Sequence, residues 1–284
     1  MTNKILSFAL LCLLSLTIYA GRLEDDTTDS LRICQLLADG AKQPKGANLM
    51  LYFGHQFMGT PYVGGTLDCN STEQLVINTR EMDCTTFVET VVALTITTQK
   101  GQRTFAAYKQ NLQALRYAGG KLNGYASRNH YFSQWIANGE RLGLVHEING
   151  PSFTAQQQLR LNYMSSHPSA YAMLRSDLPM QRQIARMERA ASGRAVRYIP
   201  VSALGGKAAE LPEVRDGDIL CLVTRKAGLD VAHIGIAEWG RDGYLHLLNA
   251  SSLQKSVILD TQTLQQYMRK QSTQLGIRVV RVVK

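Results

Sequence analysis

The hydrophobic pattern of this chain changes period near residue 211, and that change restricts its fold more than any other feature. Downstream, short apolar runs at 219–223, 232–239, 244–248, 256–259 and 277–283 are separated by turns, as strands are. Upstream, 29–40 and 47–58 read at helical spacing, and 103–200 is mostly helical in pattern. Phe105, Leu112 and Leu115 mark one amphipathic helix there, and Tyr131, Phe132, Trp135 and Ile136 another. A third, 178–191, carries Arg182, Arg186 and Arg189. Helices first and strands last predict an α+β fold rather than βαβ alternation. The 284 residues, 45% of them hydrophobic, are enough to bury a sizeable core, and no internal repeat or low-complexity linker divides them.

Lys4, the apolar run from Ile5 to Leu14 and a small residue at a cut after Ala20 form the pattern of a secretory signal peptide over residues 1–20. The run is shorter than the ~20 residues that span a bilayer, so an uncleaved anchor ranks second. Leu10 and Leu11 before Cys12 do not make a lipoprotein site, and no second run of spanning length follows. The expectation is an exported protein, periplasmic or secreted, without a membrane partner after cleavage and monomeric. Its net charge of +9 favours anionic partners, and export disfavours nucleic acid.

Four cysteines remain after cleavage. Two disulfides are open to them in an exported chain, although their spacing fits neither a disulfide framework nor a zinc knuckle. Cys221, in an apolar strand, reads as a buried inert thiol, Cys34 as helix core and Cys69 as a partly exposed loop residue. Cys84 differs, because Asp83 is a good N-cap and the apolar, β-branched segment after it needs burial to be helical. A thiol in the first turn of such a helix is placed for nucleophilic work. The helix dipole lowers its pKa, and the unpaired amides can receive an oxyanion. His233, early on an apolar strand, is either a satisfied core residue or the base such a thiol needs.

Other chemistries lack their residues. His146-Glu147 begins like a zincin helix, but Gly150 stands where the second histidine belongs. There is no Gly-x-Ser-x-Gly elbow, no phosphate loop and no clustered Cys/His pair, so no metal or cofactor is expected.

Five pieces in order, Gly59-Thr60-Pro61-Tyr62-Val63-Gly64-Gly65, Asp83-Cys84, Arg215-Asp216-Gly217-Asp218-Ile219-Leu220, His233-Ile234-Gly235-Ile236 and Leu248-Asn249-Ala250-Ser251, resemble the NlpC-type, papain-like cell-wall hydrolases. The stretch from Tyr125 to Ile136 is similar to the insertion of one branch, associated with N-acetylmuramoyl-L-alanine amidase activity and often with anhydromuramyl muropeptides. The resemblance implies N-terminal helices, with the nucleophile helix packed on a mostly antiparallel sheet or partial barrel. It also implies a single catalytic domain over 21–284 with a helical insertion at about 101–210, and muropeptides as substrate. Cys84 would be the nucleophile and His233 the base. The third polar position falls on Asn249, where many relatives have histidine; an asparagine carbonyl can orient an imidazole equally well. His246 competes for the role, but strand parity puts it on the face opposite Asn249, and Asn249 is preferred. Tyr62 would lie near substrate or pack on its turn. Asp83 would cap the helix or turn to a substrate group, its charge raising the thiol pKa in either case. Arg128 and His130 would face substrate or simply belong to an amphipathic helix. A D-γ-glutamyl–diamino acid endopeptidase and a non-catalytic muropeptide binder are the competing readings.

Overall fold

A computed structural model describes residues 27–284. The expected signal peptide and Cys12 lie outside the described residues. No described helix is long and apolar enough to cross a membrane.

The first helix, α1, covers 27–40 and buries Ile33 and Leu37. In α2 (Leu49–His55) the Asn48 side chain caps the amide of Leu51 at 3.1 Å. Helix α3 (Cys84–Gln99) is buried at every residue from Thr86 to Thr97. Its β-branched side chains lose rotamer freedom in a helix, so this burial, with the Asp83–Thr86 capping box, is what holds it. Next come α4 (Phe105–Arg116) and α5 (Phe132–Arg141), amphipathic as their spacing predicts. The sheet is formed by β4 (Ile219–Thr224), β5 (Val231–Trp239), β6 (Leu245–Ser251), β7 (Ser256–Leu259) and β8 (Gln274–Val282). All neighbours in it run antiparallel, in the order β8-β4-β5-β6-β7.

Strand alternation sorts the core into two layers. Ile219, Cys221, Ile234, Ile236, Leu248 and Ala250 face α1 to α5, joining Phe53, Phe87, Val91 and Trp135. Leu220, Leu222, Leu245, Leu247, Ile277 and Val279 face α8 (Leu264–Arg269) and the turns around Leu204 and Leu211.

Two expectations need correction. The sheet does not close toward a barrel, since among the strands β7 pairs with β6 alone and the opposite edge is a separate strand, β2. The segment 103–200 is also less helical than its pattern. It holds β1 (Val145–Ile148), β2 (Ala155–Gln158) and β3 (Ala195–Pro200) beside the short α6 (Tyr163–Ser166) and α7 (Leu178–Ala191). Strand β1 pairs with Val279–Val282 of β8, and β3 meets β8 at Ile277 and Gly276. The inserted region is therefore woven into the main sheet. Ala155-Gln-Gln-Gln has no apolar alternation, so pairing with β3, not local pattern, makes it a strand. A small separate core of Tyr125, Tyr131, Leu161, Met164, Leu174 and Ile184 lies under α7.

Candidate active site

The candidate site forms where α3 begins, against a gap in the sheet. The β5–β6 ladder stops at the pair Ile236–Leu248. Two residues further along β5, the backbone of Ile234 lies close enough to the Cys84 sulfur to favour its thiolate form. Gly235 lies between them because nothing larger fits: a Cβ there would stand 2.9 Å from the Leu248 carbonyl oxygen and 3.0 Å from Asn249 Cβ. Cys84 and His233 both line the resulting cleft, a cavity of about 150 Å³.

Asn249 is fully buried on β6 and meets His233 Nε2 through Oδ1 at 2.8 Å. Its Nδ2 donates to the Leu247 carbonyl at 3.1 Å, which fixes the amide orientation. An amide oxygen only accepts, so Nε2 carries the hydrogen and Nδ1 keeps the lone pair. His246, on the other face, bonds the Asp260 carbonyl through Nδ1 at 3.0 Å and Asp242 through Nε2 at 3.1 Å.

The electrostatics differ from the sequence expectation of an ionised sulfur. Burial, and then the Asp83 charge, push the Cys84 thiol up to about 12, against hydrogen bonds from Ile234 and Thr85 that favour thiolate. Burial also lowers the His233 imidazole, with Asn249 and Asp83 acting in the opposite direction. The helix terminus thus loses to desolvation, and the resting pair is thiol and neutral imidazole.

Asp83 caps α3, its Oδ1 accepting from the Thr86 amide at 2.8 Å and the Thr86 hydroxyl at 2.9 Å. Tyr62 is held by its amide, which donates to the Lys255 carbonyl at 2.9 Å. Burial and the proximity of Cys84 and Asp83 raise its phenol to about 12. His130 lines the cleft and donates from Nε2 to the Tyr125 carbonyl at 2.8 Å; burial and Arg128 push it down to about 3. Arg128 is not brought to the cleft. Its guanidinium is taken by Glu73 (2.6 Å) and Asp68 (2.9 Å) and lies 4.9 Å over the Tyr125 ring.

The sequence reading missed Asn129, Leu229 and Asp230 as cleft-lining residues and read Trp135 as core, which it also is. Tyr267, whose ring centre is 6.4 Å from that of His233, carried no signal beyond an aromatic in a short helix. Cys34, Cys69, Cys84 and Cys221 are all free, with Cys221 fully buried and Cys69 exposed. Among the described residues no group of three or more His, Cys, Asp and Glu side chains converges as a metal site.

The AmiA-like family, described as N-acetylmuramoyl-L-alanine amidase-like, matches residues 52–277, a span that includes the whole cleft. The chain belongs to this family. Among solved structures, an N-acetylmuramoyl-L-alanine amidase from Bacteroides uniformis is 40% identical with a TM-score of 0.79, over 84% of this chain and all of that one. A Bacteroides fragilis protein that carries a provisional xylanase name is 41% identical with a TM-score of 0.76, over 81% of this chain and 99% of its own. A Legionella pneumophila protein shares the fold at 20% identity and a TM-score of 0.69, over 92% of this chain and 97% of that one. No curated protein matches the chain.

Proposed function

We propose that this protein is an exported, NlpC-type, papain-like cysteine amidase that cleaves the N-acetylmuramoyl-L-alanine amide of peptidoglycan fragments without a metal. One observation carries the reading: the 2.8 Å contact between His233 Nε2 and Asn249 Oδ1, which leaves Nδ1 basic in the cleft that Cys84 lines. Membership of the amidase-like family and the name of the B. uniformis relative support the choice of bond.

In this mechanism Nδ1 of His233 takes the Cys84 proton as Sγ attacks the lactyl carbonyl carbon. The tetrahedral intermediate collapses as the C–N bond breaks. The imidazolium returns the proton to the departing L-alanyl amine, leaving a thioester on Cys84. Water, deprotonated by Nδ1, then attacks the thioester; the muramic carboxylate leaves and the thiol is restored. A neutral resting pair suits this sequence, because the proton moves only with the attack. A glycosidase site would instead need two carboxylates flanking the bond. Here Asp83 is engaged as a cap, and Asp230 accepts from the amides of Ser133 and Val231.

The test is digestion of muropeptides by wild type and Cys84→Ala, with the products weighed. Free stem peptide plus intact sugar, made by wild type alone, is the expected result. L-Ala-D-Glu would move the cut to the endopeptidase bond, and no product from either protein would leave a binder.

A further inference from the structure

Two neighbouring residues of the inserted region, Asn129 and His130, line the cavity together with Cys84 and His233. Both are half-buried. Asn129 Nδ2 donates to the Leu115 carbonyl at 2.9 Å, and the Asn129 backbone amide donates to the Arg116 carbonyl at 2.8 Å. His130 donates from Nε2 to the Tyr125 carbonyl at 2.8 Å. The next hydroxyl along the chain, that of Tyr131, donates to Glu188 at 2.6 Å.

A carbonyl oxygen only accepts, so each of these bonds turns the donor end of a side chain into the protein. An acceptor is left over on each residue, Asn129 Oδ1 and His130 Nδ1. Neither has a partner within the protein, and neither is among the sealed side-chain atoms without one, so both are open to solvent. Burial and Arg128 keep the imidazole neutral, and Nδ1 therefore keeps its lone pair. The Asp230 carboxylate on the same wall is already occupied, by the amides of Ser133 and Val231. Because both side chains are tied to backbone carbonyls, the two acceptors are in position before a ligand arrives.

The wall from α3 has the opposite polarity, since the first turn of a helix presents backbone amides without intrahelical partners. A trans secondary amide is polarised in the same sense, its carbonyl oxygen and its N–H pointing to opposite sides of a planar bond. With the oxygen turned to the start of α3, the N–H faces the inserted region. We propose that the acceptor pair Asn129 Oδ1 and His130 Nδ1 receives the N–H of the amide that Cys84 attacks, and so selects a secondary amide over an ester. This rests on the amidase reading and deepens it, because the amide bond itself, rather than the acyl group alone, becomes the feature recognised. A site built to bond an N–H disfavours an analogue that lacks it.

The test compares N-acetylmuramoyl-L-alanine with the ester in which oxygen replaces its N–H. Wild type, Asn129→Ala and His130→Gln are used, the last keeping a donor for the Tyr125 carbonyl. A substitution that merely loosens the wall slows both substrates alike, whereas loss of an acceptor slows the amide. The expected result is a kcat/KM for the amide roughly tenfold lower in at least one variant, with that for the ester within about twofold of wild type. The variant that shows it identifies the atom bonded to the N–H. A second arm needs no turnover: calorimetry on Cys84→Ala should find the amide bound roughly tenfold tighter than the ester, and the sensitive substitution should abolish that preference. The proposal is overturned if the amide-to-ester ratio is unchanged in both variants, or if Cys84→Ala binds the two ligands equally. A wild type that cleaves neither compound sinks the amidase reading by itself, and the binding arm then decides the acceptors.

Discussion

One wall of the cleft, from α3 and β5, presents a thiol and an imidazole that are neutral at rest, whereas the wall from the inserted region is tied down by ions. On the first side, burial raises Cys84 and lowers His233, so neither group bears a charge that must be desolvated. On the second, Arg278–Glu147, Arg128–Glu73 and the Asp230–Ser133 contact fasten segments that are distant in sequence. The difference lies in what is added to apolar burial on each side. Helix α3 lies wholly in the large core under the sheet, and the inserted region shares that core through α4 and α5 and adds a small cluster of its own around Tyr131 and Ile184. Both walls rest on apolar burial, and on the second, directional polar contacts to distant segments also specify position.

The largest effects should come from the neutral wall. Cys84→Ala and His233→Ala are expected to lower kcat by about 10⁴-fold or more, because nucleophile and base act as a unit. Asn249→Ala leaves both in place but frees the ring, and a loss on the order of 10²-fold is expected. Steady-state hydrolysis of a muropeptide measures all three. An Asn249→Ala enzyme with wild-type kcat would remove the orienting role and with it the contrast drawn above.

A buried ion pair beneath the site gives the next effect. Arg116 and Glu89 are 3% and 2% exposed and meet at 2.7 Å, with Arg116 also bonded to the Val76 carbonyl. Arg116→Met strands the Glu89 carboxylate, which burial already disfavours as an anion. The expected cost is about 3–5 kcal/mol in urea unfolding at neutral pH. Replacing both partners by apolar residues should recover much of that loss. If the double variant is no better than the single one, charge is not what the pair contributes.

Part of this architecture was legible in the sequence because it is local. Asp83 as a cap needs only the three residues after it, and strand alternation alone puts Asn249 and His246 on opposite faces. The inserted strands were not legible, because β1 exists through pairing with β8, more than a hundred residues downstream, and β3 through pairing with β2 and, some seventy-five residues downstream, β8. The charge state of Cys84 was misread for the same reason: the helix terminus is visible in a sequence, but the desolvation that outweighs it is a property of the packed core. Arg128 looked available because Glu73 and Asp68, its partners, lie far upstream.

Acid should act on both walls in the same direction. His233 lies below the ordinary histidine value of 6.5 and His130 at about 3. Below pH 6.5 the unfolded chain therefore binds protons that the folded protein refuses. Stability is kept above that value and is lost as pH falls through it, by up to about 1.4 kcal/mol per pH unit for each histidine. Urea midpoints from pH 7 to 4 should show this slope, and His130→Gln should flatten it. Activity should fall on the acid side as His233 protonates and stay level through pH 9, since the thiol titrates near 12. A bell-shaped profile centred near pH 6 would indicate a thiolate–imidazolium pair instead.

The smallest expected change separates the two roles of Asp83, cap and charge. Asp83→Asn keeps an oxygen for the Thr86 amide, so α3 retains its N-cap, whereas Asp83→Ala should cost about 1 kcal/mol. What the asparagine removes is the negative charge that raises the Cys84 thiol and supports the protonated form of His233. Both groups should therefore move down. Iodoacetamide should alkylate Cys84 a few-fold faster at pH 8, less than the tenfold of a full unit, because burial and not Asp83 is the larger influence. The acid limb of activity should shift to lower pH with an unchanged unfolding midpoint. Slower alkylation in the asparagine variant would mean that the carboxylate helps to ionise the sulfur, and the neutral wall would have to be redrawn as a charged one.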